Sequence, residues 1–247
     1  MKILEVRNLS KNFGGIQAVS DVTFDLNEGE ILGLMGANGA GKTTLMSMLA
    51  GNVQPSSGSI ALDGTRIERL PAHKVSQLGI ARTFQIVRPF AGMTVLENVR
   101  LGCLYGKSQM RSMAMATDAA TEILAEVGLE ARAGTRAGAL NLAGRKRLEV
   151  ARALATSPRV LLLDEVLAGL NASEANDALA MIQKLRGSRG LSIIIIEHVM
   201  KALMRLSNRI VVLHDGQKIT EGTPDAVTSD PRVIAAYLGE GRHVHPA

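Results

Sequence analysis

Residues 36–44 read "GANGAGKTT". It satisfies the pattern G-x-x-x-x-G-K-[ST] and lies between the strand-like segment "EILGLMG" and the helix-like segment "TTLMSMLAG". Glycines let successive backbone N–H groups converge on an anion, and the N-terminus of the following helix adds a favourable field. An ordinary glycine-rich turn would not combine a strand, a loop, a Lys-Thr pair and a helix. We therefore predict a phosphate-binding loop.

Two side chains extend this prediction to a nucleotide and a metal ion. Lys42 is expected to reach the β- and γ-phosphates, and the hydroxyl of Thr43 is expected to bind Mg²⁺. The candidate nucleotide-binding residues of the loop are Gly36, Ala37, Asn38, Gly39, Ala40, Gly41, Lys42, Thr43 and Thr44.

A second motif, "VLLLDEV" at residues 160–166, carries two acidic side chains. Its apolar residues predict a buried strand, so Asp164 and Glu165 should lie at the carboxyl edge of a sheet, where ligands of open α/β sheets bind. Asp164 is expected to hold Mg²⁺, and Glu165 to polarise an attacking water. An apolar strand that ends in Asp-Glu is common by itself, but together with the loop it indicates nucleotide hydrolysis.

Composition limits the class of protein. The chain has 247 residues, enough for one large domain. Its net charge of +5 fits an anionic ligand, but with two Tyr, four Phe and no Trp we expect no nucleic acid partner. The single Cys103 fits a reducing compartment. The chain also lacks an apolar run near the ~20 residues that cross a bilayer, so we expect a cytoplasmic protein.

The order of segments predicts an α/β fold. Short strands fill the first 35 residues, the middle of the chain is mostly helical, and two all-apolar strands, "VLLLDE" and "SIIIIEH", follow. Strands that are apolar throughout are typical of a parallel sheet covered on both faces. Asn171 and Glu174 predict a capped helix start, and Asp215-Gly216 predicts the turn of a hairpin.

With both motifs placed, the chain resembles the ATP-binding subunit of ABC transporters along nearly its whole length. The resemblance implies an α/β P-loop NTPase fold, that of an ABC ATPase, in a single domain of residues 1–247. Residues 1–84 and 158–247 would form a mixed-sheet nucleotide-binding core with an N-terminal antiparallel β subdomain. Residues 85–157 would form an inserted helical subdomain. It also implies ATP and Mg²⁺ as cofactors, and ATP hydrolysis coupled to transport.

The resemblance implies three further residues at the nucleotide. Phe13 matches the aromatic residue that stacks on adenine, although a Phe in the core of a strand is the alternative. Gln85 matches the glutamine that senses Mg²⁺ and water, so it would complete a metal site with Thr43 and Asp164. His198 matches the switch histidine that contacts the γ-phosphate, although a lone histidine is more often structural.

A signature that acts on the partner subunit's nucleotide is also implied. Without gaps it aligns with Leu140, Asn141, Leu142, Ala143 and Gly144, where the family has Leu-Ser-Gly-Gly-Gln. A one-residue gap, which would move Gly144 onto the second glycine, is the other register. Asn141 has an amide that can donate to phosphate, whereas Leu142 and Ala143 can hinder close backbone approach. The loop that joins the two sites of a dimer would be Gly169, Leu170 and Asn171.

Several segments, among them "GGIQAV", "RPFAGMTVLENV", "EHVM" and "AAYLGE", look most like the ATPases of branched-chain amino acid importers. That likeness implies a second ATPase subunit, in a homo- or heterodimer, and integral membrane permease subunits. It also implies an indirect link to a periplasmic or extracellular solute-binding protein, and a position on the inner face of the cell membrane. Phe90, Met93 and Val95 would receive a short helix from the permease, unless they belong to the core of the subdomain.

Two other functions compete with transport. A soluble ABC ATPase could act on nucleic acid or in cofactor assembly, but such proteins usually carry two phosphate loops, long coiled coils or zinc-binding Cys pairs. A nucleotide-controlled adaptor that hardly hydrolyses ATP would explain the altered signature. The presence of both Glu165 and His198 argues against the adaptor.

Overall fold

A computed structural model of the protein describes residues 1–83 and 89–239. These residues form two sheets with helices packed around them. In chain order, the strands are β1 (Lys2–Phe13), β2 (Ile16–Asn27), β3 (Ile31–Met35), β4 (Ser57–Leu62), β5 (Thr65–Arg66), β6 (Ile80–Arg82), β7 (Val160–Asp164), β8 (Ser192–Ile196), β9 (Arg209–His214) and β10 (Gln217–Gly222). The helices are α1 (Lys42–Leu49), α2 (Ala72–Leu78), α3 (Val95–Tyr105), α4 (Met113–Glu126), α5 (Leu142–Leu154), α6 (Ala172–Arg189), α7 (Met200–Leu206), α8 (Pro224–Thr228) and α9 (Pro231–Gly239).

The larger sheet has six strands in the order β10-β9-β3-β8-β7-β6. Neighbouring strands are parallel, except for β10, which is antiparallel to β9, so the sheet is mixed. Strands β3, β7 and β8 are buried at every position because other elements cover both faces of the sheet. The carboxyl ends of these three neighbouring strands meet at one edge, and the candidate site lies there.

The smaller sheet is formed near the N-terminus, with strand order β2-β1-β4-β5 and antiparallel pairing throughout. Burial alternates along much of β1 and β2, as expected for strands with one face on a core. That face shares a hydrophobic core with helix α1 and one side of the larger sheet, as seen for Val22, Leu45 and Leu34. The smaller sheet therefore supports the helix that follows the phosphate-binding loop.

Helices α3, α4 and α5 pack together between β6 and β7 in the chain. Helix α3 begins at a complete capping box, in which Thr94 and Glu97 bond each other's backbone N–H groups. Gly102 lets α3 approach the end of α5, because a Cβ there would collide with Ala155. This close contact fixes the position of α5, whose N-terminus carries the proposed signature.

The hairpin predicted at Asp215-Gly216 is present, since His214 at the end of β9 pairs with Gln217 at the start of β10. Strand β6 was not predicted, because its three residues are too few to show a period. Among residues 1–83 and 89–239, no helix has both the length and the hydropathy to span a lipid bilayer.

Candidate functional site

In the loop between β3 and α1, close neighbours leave room only for glycine at two positions, Gly36 and Gly41. Gly41 has φ of 94°, in the left-handed region. A Cβ on Gly41 would collide with the backbone oxygen of Ala18, and a Cβ on Gly36 with that of Leu213. Strands β2 and β9 therefore press against the loop. These contacts limit the conformations that the loop backbone can adopt.

Lys42 begins α1 and closes back over the loop. Its Nζ donates hydrogen bonds to the carbonyl oxygens of Gly36, at 2.6 Å, and of Ala37, at 2.8 Å. The residue is only 7% exposed, although it carries a charge. Phosphate oxygens are stronger acceptors for an ammonium group than neutral carbonyls are. The arrangement can therefore exchange the two carbonyls for a phosphate with little movement of the chain. Thr43 follows at the exposed surface of the same helix.

Asp164, at the end of β7, is 1% exposed and is held by Arg82 and Thr83, which lie at and just after the end of the neighbouring strand β6. Its Oδ2 accepts from Nη2 of Arg82 at 2.7 Å, and its backbone N–H donates to Oγ1 of Thr83 at 3.1 Å. Arg82 also donates to the Oγ of Ser47 on α1, at 2.8 Å. Arg82 was not predicted as a site residue, because no local sequence pattern connects it to Asp164, which lies 82 positions away.

The second carboxylate oxygen of Asp164, Oδ1, is buried and has no hydrogen-bond partner among the residues that the structure describes. A buried polar atom without a partner costs about 1–3 kcal/mol. A cation with oxygen ligands would satisfy it, and a carboxylate and a hydroxyl are ligand types that suit Mg²⁺. Gln85, the third expected metal ligand, lies outside the described residues. Within residues 1–83 and 89–239, there is no group of three or more His, Cys, Asp or Glu side chains that could hold a metal ion.

Glu165 directly follows β7 in an unusual backbone conformation, with φ of 51°. A non-glycine residue in this region costs of order 1–3 kcal/mol and is often found at functional sites. Its N–H donates to the carbonyl of Ile196 at 3.0 Å. Its Oε1 lies 2.7 Å from Nε2 of His198. The structure thus brings together the two residues expected to act in hydrolysis, and His198 is half-exposed rather than part of the core.

The phosphate-binding loop and His198 share one cleft of about 210 Å³. Gly36, Ala37 and Asn38 line one side, and Glu197 and His198 the other. Burial raises the pKa of Glu197 to about 7, against the effect of a hydrogen bond from the N–H of Leu167. Near neutral pH this carboxyl group is therefore partly protonated, which lessens its repulsion of an anion in the cleft.

Lys146 is a second residue that the sequence analysis missed. It lies on α5, is 7% exposed, and donates from Nζ to the backbone carbonyl of Glu165 at 2.6 Å. Burial lowers the pKa of Lys146, while nearby carboxylates, with that of Glu197 foremost, oppose this shift. The only signal in the sequence is a basic residue in a helix of otherwise mixed polarity. That signal does not distinguish Lys146 from the arginines on either side.

Phe13 ends β1 and is 48% exposed, so the alternative of a strand-core residue is wrong. The ammonium group of Lys11 lies 4.9 Å from the centre of its ring. The ring of Phe13, at the end of β1, thus interacts with one cation and is still accessible for stacking with a planar ligand.

The proposed signature forms the start of α5. Asn141 is the N-cap, and its Oδ1 accepts from the N–H of Gly144 at 2.9 Å. Ser and Asn cap helices about equally well, so this geometry favours the ungapped register, which puts Asn141 where the family has serine. Leu142 is 45% exposed. Leu140 and Ala143 join Asn141 and Gly144 in lining a cleft of about 430 Å³, and Arg132 and Arg147 add positive charge to it.

The proposed dimer loop connects Glu165 to helix α6. Val166 and Leu167 anchor its first part in the core. Gly169 then adopts φ of 79°, and a Cβ there would lie 2.8 Å from Cδ2 of Leu142 in the signature. Leu170 follows, and the loop ends at Asn171, which caps α6 in a complete capping box with Glu174, as predicted. The dimer loop and the signature thus touch within one chain.

The segment expected to receive a permease helix is partly surface and partly core. Phe90 is 51% exposed, and the guanidinium of Arg152 lies 5.2 Å from the centre of its ring. The side chain of Asn98, itself buried, binds both the N–H and the carbonyl of Phe90. Met93 is half-buried. Val95 is fully buried because it begins α3 on its inner face, so the expectation that Val95 belongs to the surface is wrong.

Family models match two parts of the chain. A model described as "ABC transporter" matches residues 19–168, and one described as "Branched-chain amino acid ATP-binding cassette transporter" matches residues 217–243. Among curated proteins, the chain is 42% identical to the high-affinity branched-chain amino acid transport ATP-binding protein BraF of Pseudomonas aeruginosa. It is 39% identical to the corresponding protein LivG of Escherichia coli K12. Each match covers 96% of this chain and 98% of the relative.

Solved structures give the same picture. The ADP conformation of MJ1267, an ATP-binding cassette of an ABC transporter, matches with a TM-score of 0.87 and 30% identity, over 97% of this chain and 99% of that one. The dimeric structure of MJ0796, a bacterial ABC transporter cassette, matches with a TM-score of 0.81 and 25% identity, over 90% and 99% of the two chains.

Proposed function

The chain belongs to the ABC transporter family and is an ATP-hydrolysing subunit of that kind, and from this premise we propose that it energises the import of branched-chain or related amino acids. The observation that carries the proposal is the 42% identity to BraF over 96% of the chain. The family match at residues 217–243, outside the catalytic motifs, supports the same cargo. The family and the α/β cassette fold expected from the sequence are confirmed.

Nucleotide binding is proposed to begin at the phosphate-binding loop. The N–H groups of the loop and the N-terminus of α1 attract the phosphates, and Lys42 moves its hydrogen bonds from the carbonyls of Gly36 and Ala37 to phosphate oxygens. Phe13 offers its accessible ring face to the adenine. The cleft shared with His198 gives the terminal phosphate a place between the loop and the catalytic residues.

Mg²⁺ is proposed as the second cofactor, held by Thr43 and Asp164 with Gln85. The buried, partnerless Oδ1 of Asp164 supports this assignment, because it needs a cation or a donor. When bound, Mg²⁺ neutralises charge on the phosphate oxygens. Arg82 keeps the other oxygen of Asp164 fixed, so the carboxylate presents one defined face.

Hydrolysis is assigned to Glu165 and His198. The carboxylate of Glu165 polarises the attacking water and takes up its proton. The oxygen of that water bonds to the γ-phosphorus as the bond from this phosphorus to the bridging oxygen breaks, which releases ADP and phosphate. His198 lies 2.7 Å from that carboxylate and is exposed toward the cleft, so it can bind the γ-phosphate and orient Glu165 at once. General-base assistance of this kind contributes about 10²–10⁴-fold in rate.

A second ATPase subunit completes each site in this proposal. The 13-residue helix α5 points its N-terminus into the cleft that Asn141, Arg132 and Arg147 line, and both the helix field and the arginines favour an anion. With Oδ1 bound to the cap, the amide NH₂ of Asn141 is the end that can donate to a phosphate. Gly169, Leu170 and Asn171 would lie at the same interface.

The further partners are proposed from the relatives and from one surface. Phe90, which is exposed but has a backbone fixed by Asn98, would receive a short helix of an integral membrane permease subunit. The chain would then be peripheral on the inner face of the membrane and linked only indirectly to a solute-binding protein. The relatives do not favour the alternative of a soluble ABC ATPase.

Uptake by the whole transporter tests the cargo. Cells that lack the chromosomal copy and carry the wild-type chain should accumulate labelled leucine, isoleucine and valine. Cells with Glu165→Gln should not, although both chains reach the membrane in equal amounts. Uptake of a sugar serves as the control and should be the same in both. If Glu165→Gln instead abolished uptake of another class of solute and left leucine uptake unchanged, the proposed cargo would be wrong.

A further inference from the structure

Helix α5, which begins at the proposed signature, directly contacts Glu165, just after β7, in the same chain. Lys146 lies five residues after Asn141 on α5, and its Nζ donates to the backbone carbonyl of Glu165 at 2.6 Å. The ammonium group is almost fully buried, so this hydrogen bond replaces water that the charge has lost. A charged donor makes the bond stronger than one between neutral groups.

The backbone of Glu165 needs a partner on each side. Its left-handed φ of 51° is sparsely populated for a residue with a side chain. The N–H is held by the carbonyl of Ile196, and the carbonyl by Lys146. If the second contact is lost, the backbone of Glu165 can rotate about its N–Cα bond toward a commoner φ. That rotation would turn Cβ, and with it the carboxylate, away from His198.

Two further contacts tie the same segment down. Oε1 of Glu197, at the end of β8, accepts from the N–H of Leu167 at 2.9 Å. Gly169 packs on Leu142, the first residue of α5. The segment is thus connected to helix α5 at two points. One is the hydrogen bond from Lys146 to Glu165, and the other is the contact of Gly169 with Leu142.

We propose that Lys146 is a positioning residue, which fixes the backbone of Glu165 according to the position of the signature helix. Contact of Asn141 with the partner's nucleotide would draw α5 into place. Lys146 would then set the catalytic carboxylate of its own chain. Hydrolysis at one site would therefore depend on closure of the other. This inference rests on the proposed roles of Glu165 and of the signature.

Three substitutions in the full-length chain test the role. Lys146→Met keeps the length and removes the charge, Lys146→Arg keeps a cationic donor, and Lys184→Met removes an exposed lysine on α6 as a matched control. Lys146→Met should lower kcat roughly ten- to a hundred-fold, as misplacement of a catalytic group does, while KM for ATP stays within about two-fold. Lys146→Arg should recover most of the rate, and Lys184→Met should match the wild type.

A double-mutant comparison separates positioning from packing. If Lys146 acts through Glu165, Lys146→Met should change the residual rate of a Glu165→Gln protein by less than about two-fold. A multiplicative loss in that background would contradict the proposal, as would a wild-type kcat in Lys146→Met. If Lys146→Met does not fold, Lys146→Gln replaces it, and failure of both to fold would show a packing role instead. Full activity of Glu165→Gln alone would overturn the assignment of Glu165, which is a separate result.

Discussion

At the scale of single residues, the site combines a lysine that a phosphate can engage, a buried carboxylate oxygen that a cation can satisfy, and a fixed backbone position. Lys42 lies over the phosphate-binding loop on two backbone carbonyls, and Oδ1 of Asp164 is buried without a partner. Glu165 is fixed on both sides of a left-handed backbone position. A phosphate can take over the hydrogen bonds of Lys42, and a cation can satisfy Oδ1 of Asp164.

Substitution of Lys42 tests the first of these contacts. Lys42→Ala should abolish hydrolysis and weaken ATP binding by at least about ten-fold, because it removes a charge-assisted contact to phosphate. Isothermal titration with ATP measures the affinity, and steady-state phosphate release measures the rate. Lys184→Ala is the control for loss of an exposed lysine. Wild-type affinity for ATP in Lys42→Ala would contradict the proposed role of the loop.

Glu197 makes stability depend on pH. Its pKa is about 7 in the folded chain because burial disfavours the charged form, against 4.5 for the ordinary group. The folded chain therefore holds this proton to higher pH than the unfolded chain does. As pH rises from about 5 to 8, this group should lower the free energy of unfolding, by at most about 3 kcal/mol.

Urea unfolding measured across that pH range tests this sign. The wild type should lose stability relative to Glu197→Gln as pH rises, because the amide cannot ionise. Glu122→Gln, at an exposed position on α4, should follow the wild type. A constant difference between wild type and Glu197→Gln from pH 5 to 8 would show that Glu197 titrates normally.

At the scale of elements, helix α5 has two tasks that substitution can separate. Asn141 caps the helix with Oδ1 and is proposed to donate to a phosphate across the dimer with its amide. Asn141→Asp keeps an oxygen for the cap but cannot donate and adds a negative charge. It should leave the melting temperature nearly unchanged and slow turnover by at least roughly ten-fold, the effect of about 1.4 kcal/mol.

Asn141→Ser is the matched control, since it keeps both the cap and a hydroxyl donor, and it should turn over at or above the wild-type rate. Thermal unfolding and phosphate release are measured on the same preparations. Equal turnover of the Asp and Ser variants would place the phosphate contact elsewhere.

The surface around Phe90 allows a second test at this scale. Because Phe90 is half-exposed while Asn98 fixes its backbone, a charged side chain there should not disturb the fold. Phe90→Glu should leave the ATPase activity of the isolated chain unchanged and lower transport by at least about ten-fold, since it puts a charge into an apolar contact. Tyr105→Glu, at a 75% exposed aromatic on α3, is the control. Unfolding of Phe90→Glu would instead favour a core role.

At the scale of the whole molecule, the features that could be predicted from the sequence are those that depend on neighbouring residues. The phosphate-binding loop, the Asp-Glu strand, the capped start of α6 and the last hairpin each depend on residues within one short segment. Lys146 and Arg82 were missed because they contact the strand end from 19 and 82 positions away, and no local pattern marks such pairs.

The misplacement of Val95 has a different cause. An apolar residue near an exposed Phe90 fits a surface and a core equally well in the sequence. Only the start of α3 at the capping box of Thr94 decides that Val95 faces inward. The placement of such residues depends on where a helix begins, which is the least certain part of a prediction from sequence.

The central claim is that two chains share each ATP site, with the signature of one facing the phosphate-binding loop of the other. The most direct test joins Asn141→Cys and Asn38→Cys with a short thiol cross-linker in the Glu165→Gln protein, where ATP should stay bound. The native Cys103 is buried, so background reaction should be low. Covalent dimers should form in the presence of ATP and should not form in the presence of ADP. The same low yield of dimer with ATP, with ADP and without nucleotide would contradict the claim.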